Sequence, residues 1–306
     1  MIESNEVPEG QLNSIINEDC IEGMKEIPNN SIDLIIADPP YFKTVNQTWD
    51  YNWKTKEEYL KWCEEWVEEV ARVGKINSTF YLFGYIRTLS YLVPKVEDLE
   101  FELNQQIVVD KGMQSVGGRA TKNYKMFPNT TEEILFFTSQ SRPYVKKLLN
   151  KKKKKLGYTS KEMNEMLDAE SAGGGVWSIY AGDNIMGKLP PESKWEQLRD
   201  ILNIDIPYEE VAPTFNIEMG ITNVWSDIDF YKGERKHPTQ KPRELIKRLI
   251  RASSNEGDTI LAPFVGGGTT AVAAKELDRN FIGFEIDEEY CQTARKRTPQ
   301  ERLSDF

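Results

Sequence analysis

The sequence predicts an α/β protein built on a doubly wound, mostly parallel sheet, with a mainly helical region inserted into it. Three observations carry that prediction. Short apolar runs alternate with amphipathic helical stretches in two separate parts of the chain, residues 1–139 and 236–306, which is the pattern of strands covered by helices on both faces. A glycine-rich loop stands between one such run and the next helical stretch. And the alternation stops between residues 140 and 235, where a lysine run and a run of glycines replace it.

In order, SIIN at 14–17 and IDLIIA at 32–37 read as buried strands, with a small helical pattern at 19–28 ending on Pro28. From 57 to 73 the apolar residues Tyr59, Trp62, Cys63, Trp66, Val67 and Val70 recur at spacings of three and four, the period of a helix with one buried face. STFYLFG at 78–84 is a strand, 86–96 a helix, and IVVD at 107–110 and EEILFFTS at 132–139 two more strands. After the interruption, Leu245, Ile246, Leu249 and Ile250 mark one helix face. DTILAPF is a strand, 269–277 a helix, NFIGFEI a strand and 287–297 a helix. No internal repeat is present, so 1–139 and 236–306 are expected to form one discontinuous domain and 140–235 a second.

Composition narrows the function classes. The 306 residues are 39% hydrophobic and carry a net charge of −10, which taken alone argues against a phosphate-rich partner. No apolar run approaches the roughly 20 residues that span a bilayer. The acidic N-terminus does not read as a signal peptide. Cys20, Cys63 and Cys291 lie too far apart for a disulfide framework or a metal-ligand spacing, and His237 is the single histidine, which argues against a zinc site. The expectation is a reduced, metal-free, cytoplasmic protein.

Two motifs carry chemistry. In DTILAPFVGGGTTAVA, Gly266, Gly268 and Ala271 fit the G-x-G-x-x-G/A pattern between a strand and a helix, where bare backbone approaches a nucleotide closely. Glu285 ends the following strand 285 − 266 = 19 residues later, the position from which an acid accepts from ribose hydroxyls. The loop lacks the Gly-Lys-Ser/Thr ending of an ATP-binding loop. Earlier, Asp38-Pro39-Pro40-Tyr41 closes the run IDLIIA. Two prolines cannot continue a central strand; they make a stiff turn at the strand's C-terminal end, the edge where open α/β sheets bind ligands. There the Asp38 carboxylate and the Pro39 carbonyl are two acceptors suited to an amine with two N–H donors, and Tyr41 offers a ring for a base to stack on.

ADPPY at 37–41, HPTQKP at 237–242, PFVGGGTT at 263–270 and NFIGFEID at 280–287 together resemble the DNA amino-methyltransferases that use S-adenosylmethionine (AdoMet), in the order of the family's β arrangement. The resemblance implies a Rossmann-like methyltransferase sheet, AdoMet as cofactor without metal, and methylation of the 6-amino group of an extruded adenine in a specific sequence. It implies that Asp38 and Pro39 accept from the target amine, with Pro40 stiffening the turn and Tyr41 stacking on the base. Asp19, Cys20, Asp38, Lys241, Phe264, Gly266, Gly267, Gly268, Thr269 and Glu285 would line the cofactor site, with Asp19 at the adenine amine, Glu285 at the ribose and Lys241 near the methionine end. Ala262 stands where the family usually has Asp, and Gly267 where it often has Ser or Thr. Asp at the first motif position favours adenine over the 4-amino group of cytosine. An RNA substrate and a DNA-binding protein with a lapsed active site are the further alternatives. His237 reads as a loop residue of a structural segment.

The region 140–235 is expected to recognise the target, with a helix-turn-helix-like element at 157–203 whose second segment, 171–180, enters the major groove. Thr159 and Glu162 fit a capping box, and Met163, Met166 and Leu167 give a short apolar face. The partner is expected to be double-stranded DNA in a bacterial cell, near the nucleoid, with a homodimer and a cognate restriction endonuclease as further expected associations. Arg119, Lys122 and Lys125, together with Lys151, Lys152, Lys153 and Lys154, are the candidate phosphate contacts. They turn the negative sum into a basic cleft on an acidic body.

Overall fold

The computed structural model describes residues 6–42, 53–116, 127–168, 175–216, 218–232 and 240–298. The chain divides into two compact units, residues 1–138 with 214–306, and residues 139–213.

The larger unit is an eight-stranded sheet. Its strands are β1 (Ser14–Ile16), β2 (Ile32–Ala37), β3 (Gly74–Phe83), β4 (Phe101–Asp110), β5 (Thr131–Ser139), β6 (Val224–Trp225), β7 (Thr259–Ala262) and β8 (Asn280–Phe284), in the order β1-β8-β7-β2-β3-β5-β4-β6. Strands β1, β8, β7, β2 and β3 are parallel, β5 runs antiparallel to β3, and β6 joins β4 in parallel. The predicted α/β class and mostly parallel sheet are therefore present.

Both faces are covered, and the strands show why their sequences are continuous apolar runs rather than alternating ones. In β2, Ile35 and Ala37 face one way, together with Phe80 and Leu82 of β3. They meet α1 (Cys20–Lys25), α2 (Lys56–Val73) and α3 (Ile86–Glu97) through Met24, Trp66, Val70 and Leu92. Leu34 and Ile36 of β2, with Tyr81 and Phe83, face α8 (Arg243–Ser253), α9 (Thr269–Lys275) and α10 (Glu288–Arg297) through Leu245, Leu249, Ala273 and Cys291. Helix starts are set locally. Asp19 accepts from the backbone N–H of Ile21 and Glu22 at the start of α1, and Thr55 from that of Glu58 at the start of α2.

The sheet has a topological switch between β2 and β7. The chain leaves β2 toward β3 on one side and leaves β7 toward β8 on the other, and a crevice opens outside the carboxyl ends of two such strands. The Asp38 turn follows β2 and the glycine loop follows β7, so both motifs converge there.

The smaller unit holds α4 (Arg142–Leu156), α5 (Ser160–Met166), α6 (Gly175–Ala181) and α7 (Glu192–Leu202) around Val145, Leu149, Met163, Trp177, Trp195 and Leu198. The capping box on α5 forms as predicted. The predicted boundary at 235 is corrected to 213, because residues 214–232 return to the sheet: Val224 and Trp225 pair with Val108 and Val109. A two-residue strand is too short to show a period. Of the expected groove-reading segment 171–180, residues 171–174 lie outside the described residues; in α6, Trp177, Tyr180 and Ala181 are buried and the remaining residues are half-buried. Met166, predicted to be part of the apolar face of α5, is 37% exposed.

Candidate active site

The residues after β2 are held rigidly. Pro39 and Pro40 fix the backbone, and the Tyr59 hydroxyl of α2 donates to the Pro40 carbonyl at 3.0 Å. Asp38 is thereby presented at the sheet edge with a quarter of its side chain exposed, while the side chain of its neighbour Lys241 is 7% exposed. The Lys241 ammonium, just before α8, donates to Asp38 Oδ1 at 2.8 Å and to Oδ2 at 2.7 Å. The Tyr41 hydroxyl lies 2.9 Å from Asp38 Oδ1 and 3.0 Å from Glu132 Oε1; its one proton serves one of the two at a time. Glu132 is itself 3.4 Å from Lys241 and 3.0 Å from Lys111 Nζ.

Four charges, two of each sign, thus meet in a buried cluster. Burial pushes the Asp38 carboxyl above its usual range against the pull of Lys241, and nearby Glu132 pushes the same way. Burial also acts on Glu132, but Lys241 and Lys111 hold it below the usual carboxylate range. Lys241 is raised, since its two carboxylate partners outweigh its burial. The Tyr41 phenol is raised well above 10 by burial and by the two carboxylates, so it is a donor and not a phenolate.

Across the switch point, the glycine loop and Glu285 form one piece. Glu285 Oε2 accepts from the Gly266 N–H at 2.9 Å and Oε1 from the Asp287 N–H at 2.9 Å. A carboxylate has about four acceptor positions; with the Ile286 N–H also favouring its charged form, Glu285 still lines the cavity. Gly266 and Gly268 have φ of +51° and +84°. A Cβ on Gly268 would lie 2.9 Å from the Ala294 Cβ of α10, which explains why the loop is glycine there.

One cavity joins the two halves. Asp19, Cys20, Asp38, Pro39, Pro40, Tyr41, Lys241, Phe264, Gly266, Gly267, Thr269 and Glu285 all line it. The structure adds residues that the sequence did not assign to the site. Trp53 and Trp62 line the same cavity, with ring centroids 4.5 Å apart, and Phe264 packs on Trp62 at 5.6 Å.

Some expectations change. Asp19 Oδ1 caps α1, accepting from Ile21 at 2.9 Å; what it offers a ligand is what that bond leaves. Lys241, assigned by resemblance to the cofactor's methionine end, is bound to the catalytic candidate Asp38. Gly268 does not appear in the cavity wall; it supplies the tight turn behind it. Ala262 packs in the apolar layer under α8 to α10. The cysteines are buried thiols, with Cys63 pushed up to about 12 by burial, which leaves them poor nucleophiles. Arg119, Lys122, Lys125 and His237 lie outside the described residues. In the smaller unit, Lys152 donates to the Asn203 carbonyl and Lys153 to Ser160, while Lys151 and Lys154 are exposed.

The strand-edge cleft thus brings the glycine loop and the Glu285 carboxylate together with the Asp-Pro-Pro-Tyr turn. A family model described as DNA methylase, of the N6/N4 amino-methyltransferases, matches residues 32–296, and the chain belongs to that family. The type II methyltransferase M.HpaI of Haemophilus parainfluenzae is 29% identical over 296 residues, which span 94% of this chain and 74% of that one. Among solved structures, the M1.HpyAVI–SAM complex superposes with a TM-score of 0.57 at 21% identity, covering 94% of this chain and 99% of that one. The cytosine-N4-specific PvuII DNA methyltransferase superposes with the same TM-score, 0.57, at 15% identity, covering 95% of this chain and 88% of that one.

Proposed function

We propose that this protein is a sequence-specific DNA methyltransferase that moves a methyl group from AdoMet to the 6-amino group of an adenine extruded from the duplex. The observation that carries this reading is the opening of the Asp38-Pro39-Pro40-Tyr41 turn and the Glu285-clamped glycine loop into one cavity.

The residues fit AdoMet. Glu285 keeps acceptor positions for ribose hydroxyls, Asp19 stands at the cavity wall for an adenine amine, and Trp53, Trp62 and Phe264 give flat apolar walls. When bound, AdoMet supplies an electrophilic methyl on a sulfonium. The rest falls to this chain. Among the described residues, Asp38 Oδ1 meets Lys241 and Tyr41 and Oδ2 meets Lys241 alone, which leaves a position to accept an amine proton. The Pro39 carbonyl takes the other. Two acceptors on its protons localise the nitrogen lone pair of an otherwise conjugated amine, and positioning does the remainder. Extrusion costs a few kcal/mol, and stacking on Tyr41 offsets about 1–3 kcal/mol of it.

Adenine is favoured by Asp at the head of the motif. The 4-amino group of cytosine offers the same two N–H donors, and the similarity to a cytosine-N4 enzyme fold keeps it as the second reading. The region 139–213, with Lys151 and Lys154 exposed, is assigned to DNA contact, and we place the protein in a bacterial cytoplasm, acting on duplex DNA. A homodimer and a paired restriction endonuclease belong to the same reading. Mass spectrometry of nucleosides from duplex DNA incubated with protein and deuteriomethyl-labelled AdoMet tests it. Labelled N6-methyladenine is expected, labelled N4-methylcytosine selects the second reading, and no labelled base rejects both.

A further inference from the structure

Glu132 belongs to none of the motifs, yet its carboxylate joins the buried charged cluster behind Asp38. It lies at the start of β5, which runs antiparallel to β3, so its first residues stand at the edge where the parallel strands end. Its side chain is 9% exposed and touches three charged or polar groups: Lys111 at 3.0 Å, the Tyr41 hydroxyl at 3.0 Å and Lys241 at 3.4 Å. A buried carboxylate of this kind is costly unless fully paired, and a lone Asp38–Lys241 pair would have served structure alone.

Lone pairs and charge together say what the fourth and fifth members do. Lys241 holds both oxygens of Asp38. With no other partner, its full charge would fall on the one carboxylate that must attract the protons of an amine, and it would oppose the positive charge that builds on the attacking nitrogen. Glu132 is the second acceptor for Lys241 and the alternative acceptor for the Tyr41 proton. Lys111, at the end of β4 with its ammonium 5.6 Å from the Phe230 ring, holds Glu132 in place from the other side. We infer that Glu132, anchored by Lys111, is a positioning residue that draws Lys241 and Tyr41 partly off Asp38 and so sets the acceptor strength of Asp38 toward the target amine. The inference rests on the methyltransfer reading above.

The test is the pH dependence of kcat for wild type, Glu132→Gln and Lys111→Met. Among the described residues, the groups facing Asp38 are Lys241, Tyr41 and Glu132, with Lys111 behind them. Glu132 raises the Asp38 carboxyl, so removing its charge moves the acid limb of kcat to lower pH. Removing Lys111 leaves the negative charge of Glu132 less compensated and moves the limb to higher pH. Glu132→Gln also lowers kcat by about 10- to 100-fold, the range for losing an outer partner of a site residue, with AdoMet affinity by calorimetry unchanged. Glu132→Asp restores part of it. Carbon-13 NMR of labelled aspartate in the three proteins follows the same shifts without turnover. Opposite displacements support the inference; an acid limb that stays in place in either variant, or a Glu132→Gln limb that moves upward, overturns it. Should Glu132→Gln fail to melt cooperatively, Lys111→Met alone decides. An inactive wild type would instead reject the methyltransferase reading and leave the NMR arm to judge the network.

Discussion

Asp38 meets two opposed demands. It must be ionised to accept an amine proton, while burial favours its neutral form and Lys241 its charged one. The net displacement is upward, so ionisation is lost as pH falls through a value above the ordinary carboxylate range. The acid limb of kcat is therefore expected above about pH 4, where a free aspartate titrates, and a limb at or below that value would contradict the burial argument. Asp38→Asn keeps the shape, removes the charge and is expected to cost about 10²–10³ in kcat with AdoMet still bound; wild-type turnover in that variant would remove Asp38 from the chemistry. Tyr41 separates into a ring and a hydroxyl. Tyr41→Ala loses both and should depress turnover far more than AdoMet affinity, whereas Tyr41→Phe keeps the stacking surface and loses the hydroxyl's bonds with Asp38, Glu132 and Lys241, which kinetics on the two variants will resolve. Asp38 and Tyr41 were legible in the sequence because the Asp-Pro-Pro-Tyr turn occurs together with the glycine loop at 266–268 and the strand-end acid Glu285; alone, the tetrapeptide reads as a strand-ending turn. Glu132 and Lys111 were not. Each stands beside another charged residue at one end of an apolar run, Glu132 before Glu133 and Lys111 after Asp110, and only the reversed direction of β5, which no period in the sequence reports, brings Glu132 to the Asp38 cluster.

The elements were more legible than their ends. The strand expected at 258–264 stops at Ala262, because Pro263 has no N–H for the ladder, and the residues after it become the glycine loop. The strand expected at 107–110 reaches back to Phe101, through Glu102, Asn104, Gln105 and Gln106, which are half-buried or exposed and carry no apolar signal. The glycine loop itself allows a sharp prediction. Gly268 caps α9 at φ +84°, with the Ala294 Cβ 2.9 Å from where its own would be, so Gly268→Ala should destabilise the protein by roughly 1–3 kcal/mol in urea unfolding; an unchanged midpoint would show that the loop relaxes. Glu285 ties that loop to the end of β8. Its replacement by Gln leaves an amide N–H₂ facing the N–H of Gly266 or Asp287, and AdoMet affinity is expected to fall about 10- to 100-fold, the worth of a charged hydrogen bond.

At the scale of the molecule, a net charge of −10 has to be reconciled with a polyanionic substrate. The lysines of α4 show how much of the positive charge is free to act. Lys146 pairs with Asp183, Lys152 reaches the end of α7, and Lys153 bonds Ser160 and lies 5.4 Å from the Trp177 ring; these are fastened to their own unit. Lys153, Lys154 and Lys155 also close the last turn of α4, where cations suit the helix dipole, so the run in the sequence has a structural share that its composition concealed. Besides Lys147, the exposed members are Lys151, Lys154 and Lys155 of the lysine run. If these three carry phosphates, Lys151→Gln, Lys154→Gln and Lys155→Gln combined should weaken binding to any duplex about equally and lower the slope of log K against log salt by about 0.9 for each phosphate no longer neutralised. AdoMet affinity should not change, since the cofactor cavity lies in the larger unit. The contrast with Lys152→Gln, whose ammonium already serves the Asn203 carbonyl, makes the measurement specific: that variant should shift the melting transition and leave the salt slope alone. Equal slopes for the triple variant and wild type would mean that the phosphates are held elsewhere and that the lysine run serves the helix that carries it.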